Sequence, residues 1–84
     1  MYFVYILQSL QDGSYYYGST SDPDNRLVRH NRNYEKYTRN NGPLKMVWCV
    51  PKQTRSDAFV LEKKLKNMKS RKRIMKFIDE SKIR

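Results

Sequence analysis

The N-terminal part of the chain has the residue pattern of β-strands. Residues 2–9 are mostly β-branched or aromatic at odd and even positions alike, which is typical of a strand that is covered on both faces. The Asp12-Gly13 pair that follows is a hairpin signal. Residues 14–20 are therefore predicted to form a second strand, antiparallel to the first.

A helix is predicted between the second strand and a third one. Asp22 can cap the unpaired amides at the start of a helix, and Pro23 suits the first helical position, where its missing N–H is not needed. We expect this helix to run to about residue 33. Residues 44–50 have the composition of a third strand, which we expect Pro51 to end.

Two more helices are predicted in the C-terminal part of the chain. Ser56 or Asp57 is expected to cap the first of them, and Ser70 to start the second. Apolar residues recur at helical spacing on the first of these helices, namely Ala58, Leu61, Leu65 and Met68. The element order β-β-α-β-α-α predicts an α+β fold, similar to an α/β sandwich, in which helices flank a three-stranded antiparallel sheet. We expect residues 1–84 to form one domain.

The length and composition of the chain exclude several classes of protein. A domain of 84 residues buries only ~60–65% of the surface of its unfolded chain, which is too little for a large cofactor fold or a deep substrate cavity. No apolar run reaches the ~18 residues that a membrane-spanning helix needs, so an integral membrane protein is excluded. The first residues lack the features of a signal peptide, and one cysteine cannot form a disulfide within the chain. We therefore expect a cytoplasmic protein.

The charge of the chain points to a polyanionic partner. Lys and Arg number 18 against 8 Asp and Glu, which gives a formal net charge of +10. The charge is uneven, because residues 1–25 carry a net −3, residues 26–62 a net +5 and residues 63–84 a net +8. A basic surface attracts phosphates and releases their counterions, so nucleic acid, and not a membrane, is the predicted partner. Docking on a ribosome or a membrane surface, or a merely solvated basic helix, are the alternatives.

Two tyrosines of the predicted hairpin are candidate site residues. Opposite positions of an antiparallel hairpin sum to a constant, which is odd when the loop has an even number of residues. Because side chains alternate between the two faces of a strand, an odd sum places Tyr5 and Tyr16 on the same face. A two-residue turn at 12–13 and a four-residue loop at 9–12 both meet this condition. The alternative is that both tyrosines only pack in the sheet, where this residue type is common.

The first predicted helix offers a phosphate ligand and a proton carrier. Arg26 and His30 are four residues apart and therefore project from one side of the helix. An arginine presents a planar fork of donors that suits phosphate oxygens, and an imidazole can exchange a proton near neutral pH. Simple surface exposure is the alternative for His30. Arg29 is expected to be solvated or to contact phosphates without specificity.

Glu62 is the candidate metal ligand. It lies beside the apolar stripe of the second predicted helix, where a carboxylate is unfavourable unless it is paired or coordinates a cation. One carboxylate is enough to hold Mg²⁺, which keeps several waters and takes further ligands from substrate phosphates. The alternative is an ion pair with Lys66, four residues later on the same helix.

Other kinds of reactive site find no support in the sequence. No set of Cys and His residues has the spacing of a zinc site, and the glycines are too scattered for a phosphate-binding loop. Cys49 lies in the middle of the third predicted strand. We expect it to be a small buried residue rather than a nucleophile.

Several of these residues fall into a known pattern. Its first half is Phe-Val-Tyr at residues 3–5, and its second half is Tyr-Tyr-Gly at residues 16–18. The helix with the arginine and the histidine follows, then residues 36–45 and residues 58–66, which have a glutamate in mid-helix. In this order and spacing, the chain resembles the GIY-YIG nuclease superfamily over about residues 2–78. It is most similar to the small stand-alone members that are related to the N-terminal nuclease domain of excinuclease.

The resemblance implies both a fold and a site. The fold is a three-stranded antiparallel sheet flanked by helices, and the site is a phosphodiesterase site that depends on a divalent metal ion. By matching position, Tyr5 and Tyr16 are the motif tyrosines, Arg26 is the helix arginine and Glu62 is the metal ligand. His30 matches a position where the family places a tyrosine or a histidine near the scissile phosphate.

The chain departs from the family pattern at a few positions. Phe3 and Val4 stand in place of the glycine and isoleucine of the first half of the motif, and Tyr17 replaces the isoleucine of the second half. Ser19 stands where some relatives have a lysine, which removes a contact that the lysine could make to phosphate.

These features together predict a Mg²⁺- or Mn²⁺-dependent endonuclease that hydrolyses nucleic acid, with DNA expected before RNA, and that acts in DNA repair. The residues expected to hold the nucleic-acid backbone are Arg29, Arg39, Lys66, Lys69, Arg71 and Lys72. The prediction requires the two tyrosines, the arginine and the glutamate to border one hollow. A non-catalytic basic module that binds DNA or RNA through the same fold is the alternative. A homodimer, or a partner protein that gives specificity, is left open.

Overall fold

In the part of the chain that the structure describes, six regular elements follow one another in the order predicted from the sequence. The computed structural model describes residues 1–32, 42–68 and 70–82 of the chain. The strands and helices are β1 (Tyr2–Ser9), β2 (Tyr15–Thr20), α1 (Pro23–Asn31), β3 (Leu44–Lys52), α2 (Arg55–Lys66) and α3 (Arg71–Lys82). They form an α+β fold around one three-stranded antiparallel sheet in the order β2-β1-β3. The predicted fold class is confirmed.

The hairpin of β1 and β2 has a four-residue loop, 10–13, between the hydrogen-bonded residues Ser9 and Ser14. The amide of Ser9 donates to the carbonyl of Ser14 at 2.9 Å and closes the hairpin. Gly13 ends the loop with a φ of 78°, a left-handed conformation that glycine adopts without a steric penalty. The loop begins one residue later than the four-residue loop that the sequence predicts, and it is longer than the predicted two-residue turn. Its even length is as expected.

Helices cover both faces of the sheet. Because the loop has an even length, Tyr5 and Tyr16 lie on the same face, as predicted, and they belong to a core that includes Leu27 of α1. The opposite face packs against α2 and α3. The buried residues of that second core are Val4, Ile6, Ala58, Leu65, Ile74 and Ile78. The central strand β1 is therefore covered on both sides, which explains its continuous run of apolar residues.

Two of the three helices start where the sequence predicts. The carboxylate of Asp22 accepts a hydrogen bond from the amide of Asn25 at 3.1 Å, and the hydroxyl of Ser70 accepts one from the amide of Arg73 at 3.3 Å. Each contact satisfies an amide that has no partner within the first turn. Within the described part of the chain, no helix combines the length and apolar character required to cross a bilayer.

The helix α2 starts earlier than the sequence predicts. Its cap is Thr54, whose hydroxyl accepts from the amide of Asp57 at 3.1 Å. The prediction of Ser56 or Asp57 as the cap is therefore wrong. Thr54 has an extended backbone with φ −124° and ψ 159°, as a cap residue requires. The Asp57 carboxylate lies in the first turn, where it interacts favourably with the positive end of the helix dipole.

Two predictions for β3 are also wrong, and both failures follow from its place at the edge of the sheet. The strand continues to Lys52, and Pro51 pairs with Phe3 of β1. An edge strand tolerates a residue without an N–H group, so Pro51 does not end it. Cys49 is exposed rather than buried, because every second residue in this part of the edge strand faces solvent.

Candidate active site

The phenol of Tyr5 and the imidazole of His30 form a buried polar pair between β1 and α1. The Tyr5 Oη and His30 Nε2 atoms are 3.1 Å apart, and the two rings meet edge to face with their centroids 6.0 Å apart. Tyr5 is 3% exposed and His30 is 5% exposed. The surface position considered for His30 is therefore wrong. The structure brings together two residues that the sequence selects separately.

Gly18 makes room for this pair. The strand register places Tyr5 directly opposite Gly18. A β-carbon at position 18 would collide with the Tyr5 phenol, so only glycine allows the ring to lie across β2. The glycine of the second half of the motif is thus a steric requirement of the tyrosine in the first half. This role of Gly18 is missing from the sequence-based expectations, although a glycine inside a strand signals the close approach of another group.

Tyr16 shares the face of the sheet with Tyr5, and Arg26 shares a side of α1 with His30. Tyr16 lies opposite Leu7 in the register and is half-buried on the same face as Tyr5. Arg26 is half-buried and lies one turn before His30 on α1. The spacing of four residues places the guanidinium and the imidazole on one side of that helix.

Glu62 is held by two side chains on α2 and β2. The hydroxyl of Ser19 donates to Glu62 Oε1 at 2.8 Å, and Lys66 Nζ lies 2.8 Å from Oε2. The side chain of Glu62 is 15% exposed and that of Lys66 is 47% exposed. The ion pair that the sequence offers as the alternative for Glu62 is therefore present. The structure also gives Ser19 a part in the site, at the position where some relatives have a lysine.

The candidate residues fall into two groups, on the two faces of the sheet. Tyr5, Tyr16 and His30 lie on the face covered by α1, whereas Ser19 and Glu62 lie on the face of α2. The two groups meet on β2, where Gly18 lies opposite Tyr5 and the next residue, Ser19, binds the Glu62 carboxylate. β2 is an edge strand, so a substrate at this edge can reach both faces. The expectation that the tyrosines, the arginine and the glutamate border one hollow is therefore wrong, because Tyr16 and Glu62 lie on opposite faces of the sheet. The two groups adjoin only along its edge.

The predicted backbone-binding residues are spread over the helices. Arg29 is exposed on α1, and Arg71 and Lys72 are exposed at the start of α3. The Arg71 guanidinium reaches the hairpin loop, where it lies 3.6 Å from the place that a β-carbon of Gly13 would occupy. Lys66 is the partner of Glu62 described above. Two further residues, Arg39 and Lys69, lie outside the described residues.

The carboxylate of Glu62 fits a divalent cation whose other ligands are water molecules and substrate phosphate oxygens. Within residues 1–32, 42–68 and 70–82, no three His, Cys, Asp or Glu side chains are grouped as metal ligands. Magnesium is commonly bound by one or two carboxylates together with water and substrate phosphate, so a single glutamate suffices. Lys66 is half-exposed, and its long side chain can swing into solvent to release Oε2.

Cys49 lies opposite Tyr5 in β3 but is not a candidate nucleophile. Partial burial of the thiol, and to a smaller extent the nearby Asp24 carboxylate, raise its pKa above the usual value. A raised pKa keeps a thiol protonated at neutral pH, and the thiolate is the reactive form. The raised pKa disfavours Cys49 as a nucleophile, although its exposure differs from the prediction.

Comparisons with known proteins point to one family. Residues 1–76 match the family model of the GIY-YIG catalytic domain. The chain is 37% identical over 75 residues to the UPF0213 protein BH0048 of Halalkalibacterium halodurans. This match covers 86% of this chain and 77% of that protein. It is 32% identical over 80 residues to the UPF0213 protein SSP2268 of Staphylococcus saprophyticus, covering 94% and 95% of the two chains.

A solved structure has the same fold. The solution NMR structure of the UPF0213 protein BH0048 from Bacillus halodurans superposes with a TM-score of 0.58 at 33% sequence identity. The match covers 94% of this chain and 84% of that one. The family-model match spans nearly the whole chain, and the two relatives are similar over most of their length. The chain therefore belongs to the GIY-YIG nuclease family.

Proposed function

We propose that the chain is a divalent-metal-dependent endonuclease that hydrolyses phosphodiester bonds of nucleic acid, with DNA as the expected substrate. One relationship carries the proposal. Tyr5 lies across Gly18 with its hydroxyl on His30, and the next residue of β2, Ser19, binds the Glu62 carboxylate. A proton-accepting pair and a metal-binding acid are thereby held on neighbouring residues of one strand edge. A protein that only binds phosphates gains nothing from a carboxylate at this position.

Tyr5 and His30 supply the base in this mechanism. The Tyr5 hydroxyl donates to His30 Nε2 when that nitrogen carries no proton. As water attacks the phosphorus atom, its proton moves to the Tyr5 oxygen while the phenol proton moves to the imidazole. A tyrosine paired with an imidazole is a stronger base than a lone phenol, because the imidazole takes up the proton that the phenol loses. Tyr16, on the same face, orients the water or the phosphate.

Arg26 and Glu62 carry the electrostatic part of the reaction. The Arg26 guanidinium neutralises the charge that develops on the phosphoryl oxygens, and removing one such contact typically lowers the rate by ~10²–10³. The Ser19 hydroxyl, which donates to Glu62 Oε1, orients the Glu62 carboxylate toward the substrate. A Mg²⁺ or Mn²⁺ ion bound by Glu62 would stabilise the charge on the phosphate and on the leaving oxygen.

The test is cleavage of end-labelled branched, duplex and single-stranded substrates in Mg²⁺, Mn²⁺ or a chelator. We expect metal-dependent cleavage by the parental chain and its loss in Glu62→Gln and Arg26→Ala, with nearly unchanged substrate binding in a gel shift. Glu80→Gln on α3 is the matched control, because it removes an exposed carboxylate far along the chain from the motif. Cleavage by the Glu62→Gln variant at the parental rate would show that the site assignment is wrong.

A nucleic-acid-binding module without catalysis is the second candidate. Two observations favour it: the Tyr5–His30 pair is almost wholly buried, and Lys66 already neutralises Glu62. In that case the chain binds nucleic acid with strong salt dependence but cuts none of the substrates in any metal. The same cleavage assay separates the two functions.

A further inference from the structure

A groove between α2 and the start of α3 lies on the outer side of α2. Its volume is about 570 Å³, and its lining includes Phe59, Val60, Lys63, Lys64, Asn67 and Arg73. Phe59 is 58% exposed and Val60 is 67% exposed. Two adjacent large apolar residues with this exposure are unexpected on a helix of a strongly charged chain. A partner that covers them would remove this apolar surface from water.

The chemistry of the groove combines one open aromatic ring with positive charge. Lys63 Nζ lies 6.0 Å from the centroid of the Phe59 ring. Lys64 and Arg73 add two more cations to the same lining, which includes no acidic side chain among its described residues. An exposed ring flanked by Lys and Arg is the arrangement with which proteins bind unpaired nucleotides, because every base has a face that can stack.

The same charges argue against a second copy of the chain as the occupant. A symmetric dimer through this groove would bring Lys63, Lys64 and Arg73 of one copy near those of the other, in a chain of net charge +10. Like charges that face each other across an interface are unfavourable. A polyanion instead gains from each of these cations.

We propose that this groove binds an unpaired stretch of nucleic acid, with one base stacked on Phe59 and the adjoining phosphates paired with Lys63, Lys64 and Arg73. Binding in the groove does not depend on the catalytic proposal. Phe59 also lies three residues before Glu62, so the two side chains are neighbours on α2. If Glu62 acts as proposed, the scissile bond therefore lies next to the unpaired nucleotides, and the substrate class is nucleic acid with a single-stranded segment.

The experiment measures fluorescence anisotropy of labelled oligothymidylate, oligouridylate and a hairpin duplex in the presence of a chelator, so that no cleavage occurs. We expect tighter binding of the single strands than of the duplex. Stacking of one base contributes about 1–3 kcal/mol, so Phe59→Ala should weaken single-strand binding roughly 5- to 150-fold. Phe59→Trp should retain it. Leu10→Ala is the matched control, because Leu10 is 61% exposed and lies in the hairpin loop.

Two further arms identify what Phe59 and the cations contact. On an abasic strand of equal charge, the effect of Phe59→Ala should vanish, because no base remains to stack. Lys63→Ala and Arg73→Ala should each lower the slope of log affinity against log salt by about 0.7, the value for one phosphate of a single strand. An equal Phe59→Ala effect on abasic and normal strands would overturn the stacking proposal.

The outcomes also separate the groove from the catalytic proposal. Single-strand binding that depends on Phe59, in a chain that cuts nothing, supports the groove and overturns the nuclease. Metal-dependent cleavage with no effect of Phe59→Ala on binding supports the nuclease and overturns the groove. Phe59-dependent binding to anionic lipid vesicles without single-strand binding would assign the groove to a membrane surface instead.

Discussion

Tyr5 and Gly18 lie directly opposite each other in β1 and β2, and the phenol occupies the space that a side chain at position 18 would need. The two halves of the sequence motif are therefore parts of one steric arrangement. The glycine fixes where the ring lies, and the ring brings its hydroxyl to His30.

Gly18→Ala should disturb both stability and the Tyr5–His30 pair. The added methyl group collides with the buried Tyr5 ring, and overpacking of this kind typically costs about 1–3 kcal/mol. Urea unfolding of the variant should give a lower free energy of unfolding and a loss of any cleavage activity. The double variant Gly18→Ala with Tyr5→Leu should recover part of the stability but no activity, because the shorter side chain leaves room. An unchanged unfolding midpoint for Gly18→Ala would contradict the register.

Tyr5→Phe should affect both folding and chemistry, because it removes the hydroxyl that contacts His30 Nε2. A buried polar group that loses its partner typically costs about 1–3 kcal/mol, so the free energy of unfolding should fall by that amount. If Tyr5 is the base, cleavage should fall by ~10²–10⁴, the range of general acid–base catalysis. Tyr2→Phe is the control, because it removes a tyrosine hydroxyl from the opposite face of the sheet, where Tyr2 packs against the core under α2 and α3. Parental cleavage by Tyr5→Phe would remove Tyr5 from the mechanism.

Lys66→Met should release Glu62 for a cation. Lys66 is half-exposed in its pair with Glu62, and helical pairs with a solvent-exposed partner contribute about 0.3–0.5 kcal/mol, so stability should change little. Loss of the competing ammonium should instead tighten Mn²⁺ binding, measured by isothermal titration calorimetry without nucleic acid. Lys76→Met, which removes an exposed charge from α3, should leave Mn²⁺ binding unchanged. Equal Mn²⁺ binding by both variants and the parent would indicate that Glu62 does not hold the metal.

Asp12 makes the hairpin sensitive to acid. The amide of Ser14 donates to its carboxylate at 2.9 Å, and this bond, with the Ser14 hydroxyl, lowers the pKa of Asp12 below the ordinary value of 3.8. Because the pKa of Asp12 is lower in the folded chain than in the unfolded chain, the ionised carboxylate stabilises the fold at pH values above about 3.8. This stabilisation is lost as the pH falls below 3.8 and passes through the pKa of the folded chain.

The measurement for Asp12 is urea unfolding at a series of pH values from mildly acidic to strongly acidic. Asp12→Asn should lose stability at the mildly acidic end and show a shallower decline toward low pH than the parent. Asp79→Asn, at an exposed position of α3, serves as the matched control. Parallel curves for the parent and Asp12→Asn would show that the Ser14 contacts do not depend on the charge of Asp12.

The order of elements and the class of the fold follow from local signals in the sequence. Alternation, the hairpin signal and the caps at Asp22 and Ser70 are short-range features, so they survive folding unchanged. The errors at Pro51 and Cys49 have one origin, because both depend on the position of β3 at the edge of the sheet. Strand order is a long-range property that the pattern of one strand does not contain. The error at Thr54 is local, since several neighbouring residues can cap a helix and the backbone conformation decides which one does.

The site is less predictable for the same reason. Alternation predicts that Tyr5 and Tyr16 share a face, and helical spacing predicts that Arg26 and His30 share a side. Neither rule indicates which face of the sheet α1 covers and which face α2 covers, because helix docking is decided by the whole core. The contact of Ser19 with Glu62 therefore emerges only from the assembled structure.

The proline in β3 has a consequence for how the chain behaves among its own copies. An outer strand with unpaired backbone groups is a template on which another polypeptide can add a strand, and proline and lysine at such a rim discourage this. Pro51 lacks one donor, and Lys45 and Lys52 bring charge to the same strand. This side of the sheet is therefore a poor nucleus for aggregation, even when the molecules are crowded along a nucleic acid.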